Sequence, residues 1–280
     1  MRYLLISIMM VLSLSGYAKK EKQLVVLHTN DTHSTILPLS ENMPDTMRAG
    51  RAGALRRIAM LKEERQKHPD LLLFDSGDFV QGSAYYTLFK GEVEIGLMNL
   101  MGYDAVTIGN HEFDYGLEAM AKMFRQATFP IICANYDFTG TSVEGLVKPY
   151  VIIKRNGLKI GVFGLSPAMK GLVANQNCEG VKYLDPAKVA LETATMLKKK
   201  KKCDVVICVS HLGWNSNRGE DDLYMIRGSR YIDIVLGGHT HSYFKKLHYE
   251  KDLDGKPVPA DQNGKHAVFV GKMVMTLHSK

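Results

Sequence analysis

Short apolar runs alternate along the chain with longer segments in which apolar residues recur every three or four positions. The short runs are typical of buried strands, and the longer period is typical of amphipathic helices. Strands are predicted at residues 24–27, 71–74, 105–108, 131–134, 150–154, 159–163, 205–209 and 232–236. Helices are predicted at residues 52–66, 93–101, 117–125 and 186–200. Strands that alternate with helices in this way predict an α/β protein.

Other local patterns concern turns and the end of the chain. Asn156 and Gly157 lie between two predicted strands and are typical of a two-residue hairpin turn. Residues 252–264 are rich in Asp, Gly and Pro and are predicted to be a loop, while residues 267–270 and 273–277 are predicted to form a terminal hairpin. Because no internal repeat or low-complexity linker interrupts residues 19–280, this segment is predicted to be one domain.

The first eighteen residues are predicted to be a signal peptide. Arg2 provides a basic start, residues 4–14 are apolar, and Gly16 and Ala18 are small residues at the spacing of a cleavage site. The apolar stretch is too short to span a bilayer. We therefore expect an exported protein, periplasmic or secreted, without a membrane span.

The basic charge of the chain does not predict a nucleic-acid-binding protein. The formal charge is +7, from 36 Lys and Arg against 29 Asp and Glu, and one run of lysines at residues 198–202 contributes five of the positive charges. This run closes a predicted helix, where lysines are favoured by the helix dipole and by solvent. Basic residues interleaved with aromatics over one face, which nucleic-acid binding needs, are not seen.

The cysteines match neither a zinc-binding nor a redox spacing. Cys133 and Cys208 lie in apolar runs and are predicted to pack as small hydrophobic residues. A disulfide through Cys178 stays open at this stage.

Side chains of the kinds that bind metals follow five of the predicted strands. They are Asp31, His33, Asp78, Asn110, His211, His239 and His241. In open α/β sheets, functional sites lie outside the carboxyl ends of the strands, where loops converge. Carboxylate, imidazole and amide ligands together suit Mn, Fe, Co or Zn. Seven candidates exceed the three or four protein ligands of one catalytic ion, so two divalent ions that share a carboxylate are predicted.

The spacing of two pairs adds a local expectation. Asp31 and His33 are two residues apart, and so are His239 and His241. In an extended chain both side chains of such a pair leave the same face. Each pair is therefore predicted to bind within one region of space.

The blocks that carry these residues resemble the five motifs of the calcineurin-like metallophosphoesterase superfamily. The blocks are DTH at 31–33, GD at 77–78, GNHEFD at 109–114, SH at 210–211 and GGHTH at 237–241. LHTNDTHS at 27–34 resembles the 5'-nucleotidase branch in particular. The resemblance covers nearly all of residues 19–280 and implies a four-layer α/β/β/α sandwich, in which two mixed sheets are flanked by helices.

The resemblance also implies a role for each residue. The first ion would be bound by Asp31, His33 and His241, the second by Asn110, His211 and His239, and both by the bridging carboxylate of Asp78. His111 would act as an acid at the leaving-group oxygen, and Asp114 would orient its ring. Two dications make hydroxide available near neutral pH, and a general acid supplies about 10²–10⁴-fold in rate.

The function expected from these residues is hydrolysis of phosphomonoesters, by resemblance nucleoside 5'-phosphates, in nucleotide catabolism. A cyclic-nucleotide phosphodiesterase or a nucleotide-sugar hydrolase would use the same site. A protein of another class, a non-catalytic metal- or nucleotide-binding surface protein, is the remaining alternative. Full-length relatives carry a second domain that binds the base, and this chain ends at Lys280. We therefore also expect either a broad substrate range or a separate nucleotide-binding partner chain.

The remaining histidines and one aspartate have no predicted part in catalysis. His28, His68, His248, His266 and His278 show no partner spacing and are interpreted as structural or exposed. For Asp75, support of the metal ligands from behind and capping of a turn both stay open. Gln81 receives no role.

Overall fold

The computed structural model describes residues 21–216 and 219–278. The predicted signal peptide lies outside these residues. The helices are α1 (Ala54–Lys67), α2 (Ala84–Phe89), α3 (Glu92–Met101), α4 (Gly116–Phe124), α5 (Pro186–Thr195) and α6 (Asp222–Arg227). A wider turn, Met196–Lys200, continues α5 through part of the lysine run. None of the helices described is long and apolar enough to cross a bilayer.

The strands form two six-stranded sheets and one two-stranded sheet. The first sheet contains, in spatial order, β14 (Gly271–His278), β1 (Glu21–Thr29), β2 (Leu72–Asp75), β3 (Ala105–Thr107), β4 (Ile131–Ile132) and β6 (Val147–Lys148). The second contains β12 (His248–Lys251), β13 (Pro257–Asp261), β11 (Ile234–Leu236), β10 (Val205–Ser210), β8 (Leu158–Leu165) and β7 (Tyr150–Arg155). The small sheet pairs β5 (Tyr136–Asp137) with β9 (Lys182–Tyr183).

Both large sheets are mixed, with parallel strands at the centre. β1 to β4 and β6 are mutually parallel, and β14 is antiparallel to β1. In the second sheet β8, β10, β11 and β13 are parallel, whereas β7 and β12 are antiparallel at the edges. The carboxyl ends of the central strands therefore lie at one end of each sheet.

The alternation of side chains along the strands produces the layers. In β1, Leu24 and Val26 face the second sheet, and Val25 and Leu27 face the helices. β10 repeats this arrangement, since Val205, Ile207 and Val209 join the core between the sheets while Val206 and Cys208 pack with residues of α5 and α6. The predicted four-layer α/β/β/α sandwich is confirmed.

The predicted helices and most predicted strands agree with the structure within a few residues. The short helices α2 and α6 were not predicted. Each is capped by a side chain that accepts a backbone N–H, Ser83 from Tyr86 for α2 and Asp221 from Tyr224 for α6. Neither helix is long enough to show an apolar period.

The predicted terminal hairpin is wrong. Gly271–His278 is a single strand that pairs with β1 over its whole length, and residues 267–270 are not a strand. Gly271 lies opposite His28, where a β-carbon would come within 2.4 Å of the His28 ring nitrogen Nε2. The glycine therefore allows the edge strand to pass the buried ring and does not mark a turn.

The loop predicted at residues 252–264 is also wrong in part. β13 (Pro257–Asp261) lies within it and pairs with both β12 and β11. The parallel pairing with β11 involves only Ala260 and Asp261. Pro257 and Pro259 therefore lie in the part of the strand next to β12 alone, where the missing N–H groups do not interrupt a central ladder.

All four cysteines are free thiols. Cys133 and Cys208 are buried, as predicted, whereas Cys178 is half-buried. Burial raises the pKa of the Cys133 thiol to about 11.

Candidate metal centre

The loops that follow β1, β2, β3, β10 and β11 converge where the two large sheets meet. The loop after β1 is joined to the loop after β2, because Asp31 N–H donates to Gly77 O at 3.0 Å and His33 N–H donates to Asp78 O at 3.0 Å. Ser76 Oγ donates to Leu236 O at 2.9 Å and so connects the first sheet to the second. The candidate centre therefore lies on the boundary between the sheets, at the carboxyl ends of the central strands.

One cluster consists of Asp31, His33 and His241. One potential ligand atom of each lies within 4.8 Å of the others. The Nε2 atoms of His33 and His241 are 2.9 Å apart, and Asp31 Oδ1 is 3.4 Å from Nε2 of His241 and 4.0 Å from Nε2 of His33. Two imidazole nitrogens and a carboxylate oxygen so close together form a donor set suited to a transition-metal dication.

A second cluster consists of Asp78, His211 and His239, with potential ligand atoms again within 4.8 Å of one another. His211 Nε2 is 3.0 Å from Asp78 Oδ2. Burial disfavours charge on the His211 ring, but the Asp78 and Asp31 carboxylates outweigh burial and raise the pKa of His211 to about 10. Burial likewise opposes ionisation of Asp78, but His211 outweighs it and lowers the pKa of that carboxyl well below its ordinary range. The surroundings of this cluster therefore favour an ionised Asp78 carboxylate next to a positively charged group.

Asp78 is the link between the clusters. Besides its place with His211 and His239, it forms a third group within 4.8 Å with His33 and His111. Its other oxygen, Oδ1, accepts the backbone N–H of His111 at 2.9 Å. A carboxylate in this position is shared by both halves of the centre.

Two buried atoms at the centre test whether a cation fits there. Asn110 Oδ1 and His211 Nε2 are buried and have no hydrogen-bond partner within the described residues. His211 Nδ1 donates to Ser76 O at 2.6 Å, so Nε2, which lies 3.0 Å from Asp78 Oδ2, is the ring nitrogen that would bind a metal ion in place of its proton. Buried polar atoms are rarely left unpaired. The unpaired amide oxygen of Asn110, together with an imidazole nitrogen that can release its proton, fits a metal ion.

His111 and Asp114 form a pair beside this centre. His111 Nδ1 is 3.1 Å from Asp114 Oδ2, and the two residues lie at either end of the short 3₁₀ turn His111–Phe113. Burial disfavours charge on the ring, but the hydrogen bond to Asp114 and the Asp78 carboxylate outweigh it and raise the pKa of His111. The His111 ring centroid is 5.5 Å from that of His33. The His111 ring thus lies beside the candidate ligand His33.

The ligand loops have unusual backbone conformations. Five of the seven candidate ligands have positive φ: Asp31 (48°), His33 (44°), Asp78 (54°), His239 (70°) and His241 (53°). Residues other than glycine adopt this region rarely, and such conformations cluster at functional sites. The expectation that each pair binds within one region is wrong for His239 and His241, because the chain there is not extended and the two rings enter different clusters.

Two glycines allow the loops to approach each other. A β-carbon on Gly109 would lie 2.2 Å from Asp78 Oδ1, and one on Gly77 would lie 2.5 Å from Gly109 N. Gly77 also has φ of +87°. No side chain fits at either position without displacing the Asp78 carboxylate or the backbone that carries Asn110.

Glu112 lies at the candidate centre, although the sequence analysis assigned it no role. Its buried carboxylate accepts three backbone N–H groups, from Gly109 at 2.6 Å, Phe79 at 3.0 Å and Asp78 at 3.1 Å. Burial and the nearby Asp78 carboxylate raise the pKa of Glu112 to about 8. Glu112 therefore joins the Asp78 loop to the Asn110 loop. The feature of the sequence that could have indicated a buried role for Glu112 is its position in a short segment between the apolar residues Ile108 and Phe113.

Asp75 supports the Asp78 loop from behind. Its side chain accepts the Gly77 N–H at 2.9 Å and the Thr29 hydroxyl at 2.5 Å. Because it is fully buried, the pKa of Asp75 is raised to about 7. Of the two readings left open for this residue, the structure favours the first, although Asp75 also closes the turn at Gly77.

Two of the histidines interpreted as structural or exposed differ in position. His28 is buried beneath the sheet edge and its Nε2 is 3.0 Å from Asp261 Oδ2, which agrees with a structural role. His266 instead lies beside the centre, with its ring 5.9 Å from that of His33 and its Nδ1 2.9 Å from Thr35 Oγ1. Burial and the His33 ring lower the pKa of His266 to about 4. Its sequence neighbours gave no sign of this.

Residues 24–243 match the family model of the calcineurin-like phosphoesterases. The chain belongs to this family. It is 30% identical over 275 residues to the 5'-nucleotidase of Rattus norvegicus, a match that covers 96% of this chain and 45% of the relative. It is 28% identical over 289 residues to the trifunctional nucleotide phosphoesterase protein YfkN of Bacillus subtilis, which covers 92% of this chain and 18% of the relative.

Solved structures of this family share the fold. The 5'-nucleotidase precursor of Thermus thermophilus aligns with a TM-score of 0.77 at 27% identity, over 90% of this chain and 51% of that one. The NAD nucleotidase of Haemophilus influenzae aligns with a TM-score of 0.79 at 26% identity, over 92% and 53%. The chain thus spans about half the length of these two proteins, and less than half of the curated relatives named above.

Proposed function

We propose that this protein is a metal-dependent phosphohydrolase that releases phosphate from phosphomonoesters, with nucleoside 5'-phosphates as substrates. The observation that carries the proposal is the position of Asp78, whose carboxylate is shared by two clusters of candidate ligands. Family membership and the 5'-nucleotidase relatives support the substrate class. We also propose that the protein is exported, on the basis of residues 1–18.

The proposed ligands divide between the clusters. One ion would be held by Asp31, His33 and His241 and the other by Asn110, His211 and His239, with Asp78 available to both. Nitrogen and oxygen ligands of this kind suit Mn, Zn, Fe or Co. When bound, such a pair of dications lowers the pKa of a coordinated water and offsets charge on the phosphoryl oxygens.

His111 is proposed to give a proton to the leaving-group oxygen. Asp114 accepts the Nδ1 hydrogen, which fixes the ring and leaves Nε2 as the proton donor. The Asp114 carboxylate also stabilises the positive ring before the proton leaves. As the alcohol departs, His111 becomes neutral and regains its proton from solvent, to which the side chain is partly exposed.

The organic part of the substrate is proposed to lie in a cavity of about 500 Å³ next to this pair. Asp114 and Tyr115 form one wall, and Gln81, Ser83 and Thr87 line the rest together with Tyr86. Lys90 Nζ lies 3.4 Å from the centre of the Tyr115 ring. A polar cavity with an aromatic wall beside the proton donor fits a nucleoside or another polar alcohol.

The selectivity of this cavity is tested by replacing Tyr115 with Ala. We expect KM for AMP to rise about three- to tenfold, since the substrate loses an aromatic contact, while KM for glycerol phosphate stays unchanged. Tyr249→Ala, an exposed tyrosine on β12, is the matched control. If Tyr115→Ala changed KM equally for AMP and glycerol phosphate, the proposal that this cavity binds the organic part of the substrate would be wrong.

Hydrolysis of a nucleotide pyrophosphate is the second candidate. The fold similarity to the NAD nucleotidase of Haemophilus influenzae favours it. The trifunctional relative of Bacillus subtilis favours a broad range of nucleotide phosphoesters. Both candidates use the same proposed centre, so relative rates on AMP, a cyclic nucleotide and NAD distinguish them.

The proposal as a whole is tested by phosphate release from AMP and p-nitrophenyl phosphate, with added Mn²⁺ or Co²⁺ and with chelator. We expect turnover that needs the metal. His111→Ala should lower turnover by about 10²–10⁴-fold with metal content unchanged, whereas His68→Ala, at the end of α1, should behave as the native protein. Absence of metal-dependent release from every phosphoester tried would overturn the proposal, and so would equal effects of the two substitutions.

A further inference from the structure

A small cavity lies behind the loop that carries His33. Its volume is about 20 Å³, and it is enclosed mainly by residues of that loop, α1 and α3. The apolar residues that line it are Ile36, Ala54, Phe79, Leu97, Met98 and Met101. Among these apolar walls are two charged side chains, Arg57 from α1 and Glu94 from α3, of which 8% and 4% are exposed.

Each of the two charged side chains has one buried atom without a partner. Arg57 Nε and Glu94 Oε2 make no hydrogen bond to each other or to any other described residue. Leaving a buried donor or a buried acceptor unpaired is destabilising, and more so when the group is charged. Two such atoms around one cavity call for a shared partner.

The chemistry of the two atoms decides what that partner is. Arg57 Nε–H is a donor and needs an acceptor, whereas Glu94 Oε2 is an acceptor and needs a donor. A metal cation would satisfy only the carboxylate, and a halide or other small anion would satisfy only the guanidinium. A water molecule satisfies both, and a cavity of this size holds one water.

We infer that one ordered water occupies this cavity, accepts a hydrogen bond from Arg57 Nε and donates one to Glu94 Oε2. The water is a fixed part of the fold and joins α1 to α3. It also connects two sets of side chains that hold metal-ligand loops in place.

On one side the water reaches the His33 loop. Glu94 Oε1 accepts the hydroxyl of Ser34, the residue after His33, and Ser34 Oγ lies 2.5 Å from Ser83 Oγ at the start of α2. The second oxygen of Glu94, Oε2, is the one left without a partner, and in the inferred arrangement it binds the water. The position of Ser34, and with it that of His33, therefore depends on both oxygens of one buried carboxyl group.

On the other side the water reaches the Asp78 loop. The charge of the Arg57 guanidinium partly offsets the rise that burial causes in the pKa of Tyr103, so it acts on the Tyr103 hydroxyl. That hydroxyl is 2.8 Å from Thr29 Oγ1, and Thr29 donates to Asp75. Asp75 in turn holds Gly77, the residue before Asp78. The network from Ser83 to Gly77 is continuous only with the water present.

A crystal structure of the native protein, at a resolution that shows ordered waters, tests the inference directly. We expect one peak within hydrogen-bonding distance of both Arg57 Nε and Glu94 Oε2, with or without metal. A cavity without density would overturn the inference, and so would direct contact between the two side chains or a peak with the coordination of an ion. This test does not involve turnover, so it stands whether or not the proposed function is correct.

A pair of substitutions tests the positioning role of the water. Glu94→Gln keeps an acceptor for Ser34 and a polar group for the water, and we expect its dissociation constant for Mn²⁺ to stay within about twofold of the native value, since the network is kept. Glu94→Leu removes both, and we expect Mn²⁺ affinity to fall about 10- to 100-fold, the effect typical of residues that orient metal ligands. Glu92→Gln and Glu92→Leu, in the first turn of the same helix but exposed and paired with Lys122, are the matched controls.

The two readouts separate positioning from general stability. If folded Glu94→Leu binds Mn²⁺ as tightly as the native protein and only melts at a lower temperature, the positioning role is wrong. If the leucine variant does not fold, the native crystal structure and the glutamine variant still decide. A native protein that binds no Mn²⁺ would contradict the proposed function and leave the water peak as a separate result.

Discussion

Charged groups have different surroundings at the candidate metal centre, where the two sheets meet, and at the edge of the first sheet. At the centre, Asp78 and His211 are buried, and each depends on the other and on fixed backbone groups for its charge. At the edge, Glu64 of α1 reaches Lys272 of β14 at 2.6 Å and Lys67 at 3.0 Å, and both lysines are substantially exposed. Water and salt can replace the partners of Glu64, but nothing except a cation can replace the partners of Asp78.

The largest expected effect comes from the shared carboxylate. Asp78→Asn keeps the size of the side chain but removes the charge that both clusters use. We expect both proposed ions to be lost. Turnover should fall by more than about 10⁴-fold, which is the most that a single proton donor contributes. Metal content and rate on p-nitrophenyl phosphate are the measurements, and Asp70→Asn, an exposed neighbour of β2, is the control. Near-native metal content in Asp78→Asn would show that the centre does not depend on this charge.

The next effect compares the buried and open sides of the centre. The His211 side chain is fully buried, whereas 35% of the His241 side chain is exposed. We expect His211→Asn to lower Mn²⁺ affinity by more than about 100-fold, beyond what an orienting residue contributes. His241→Asn should cost less, because an amide oxygen can approach an ion from the exposed side, where water also reaches it. The reverse order in Mn²⁺ titrations would contradict the difference drawn between the two sides.

The smallest effect is expected for Glu64, at the edge of the first sheet. The Lys272 and Lys67 ammonium groups lower the pKa of Glu64 from 4.5 to about 2. A depressed carboxyl pKa stabilises the folded state above the unfolded value, so this contribution is present above about pH 4.5 and is lost as the pH falls toward 2. Because the pair is screened by solvent, we expect Glu64→Gln to lower Tm by no more than about 3 °C at pH 7. Equal Tm values for the native protein and Glu64→Gln near pH 2 would confirm that the ionised Glu64 carboxylate is the source of the difference. A loss of turnover in Glu64→Gln as large as that in Asp78→Asn would contradict the comparison.

The sequence was sufficient to find candidate ligands that immediately follow a strand. Asp31 lies two residues after β1 and His211 directly after β10, so the ligand types could be read from short apolar runs. Parallel strands bring their carboxyl ends together, which makes convergence predictable without knowledge of the pairing. The layered α/β/β/α fold was predictable only through the family resemblance, because apolar runs alone do not say which sheet a strand joins.

The sequence was insufficient where a contact joins distant parts of the chain. β14 pairs with β1 across almost the whole sequence, and nothing near Gly271 indicates that partner. The same holds for His266, whose N–H donates to Asp31 O at 2.7 Å, and for Glu112, which depends on the loop after β2. Local patterns predict what a segment forms, whereas these contacts depend on which segment it meets.

The boundary between the sheets has a consequence for assembly of the protein. Loops of the first sheet provide every proposed oxygen ligand, namely Asp31, Asp78 and Asn110, while the second sheet provides only imidazoles, from His211, His239 and His241. Neither half alone offers a complete donor set, so strong binding requires both sheets to be docked. A ligand that binds only the docked state stabilises it by mass action. Metal binding would then add to the apolar core between the sheets in holding the two halves of the sandwich together.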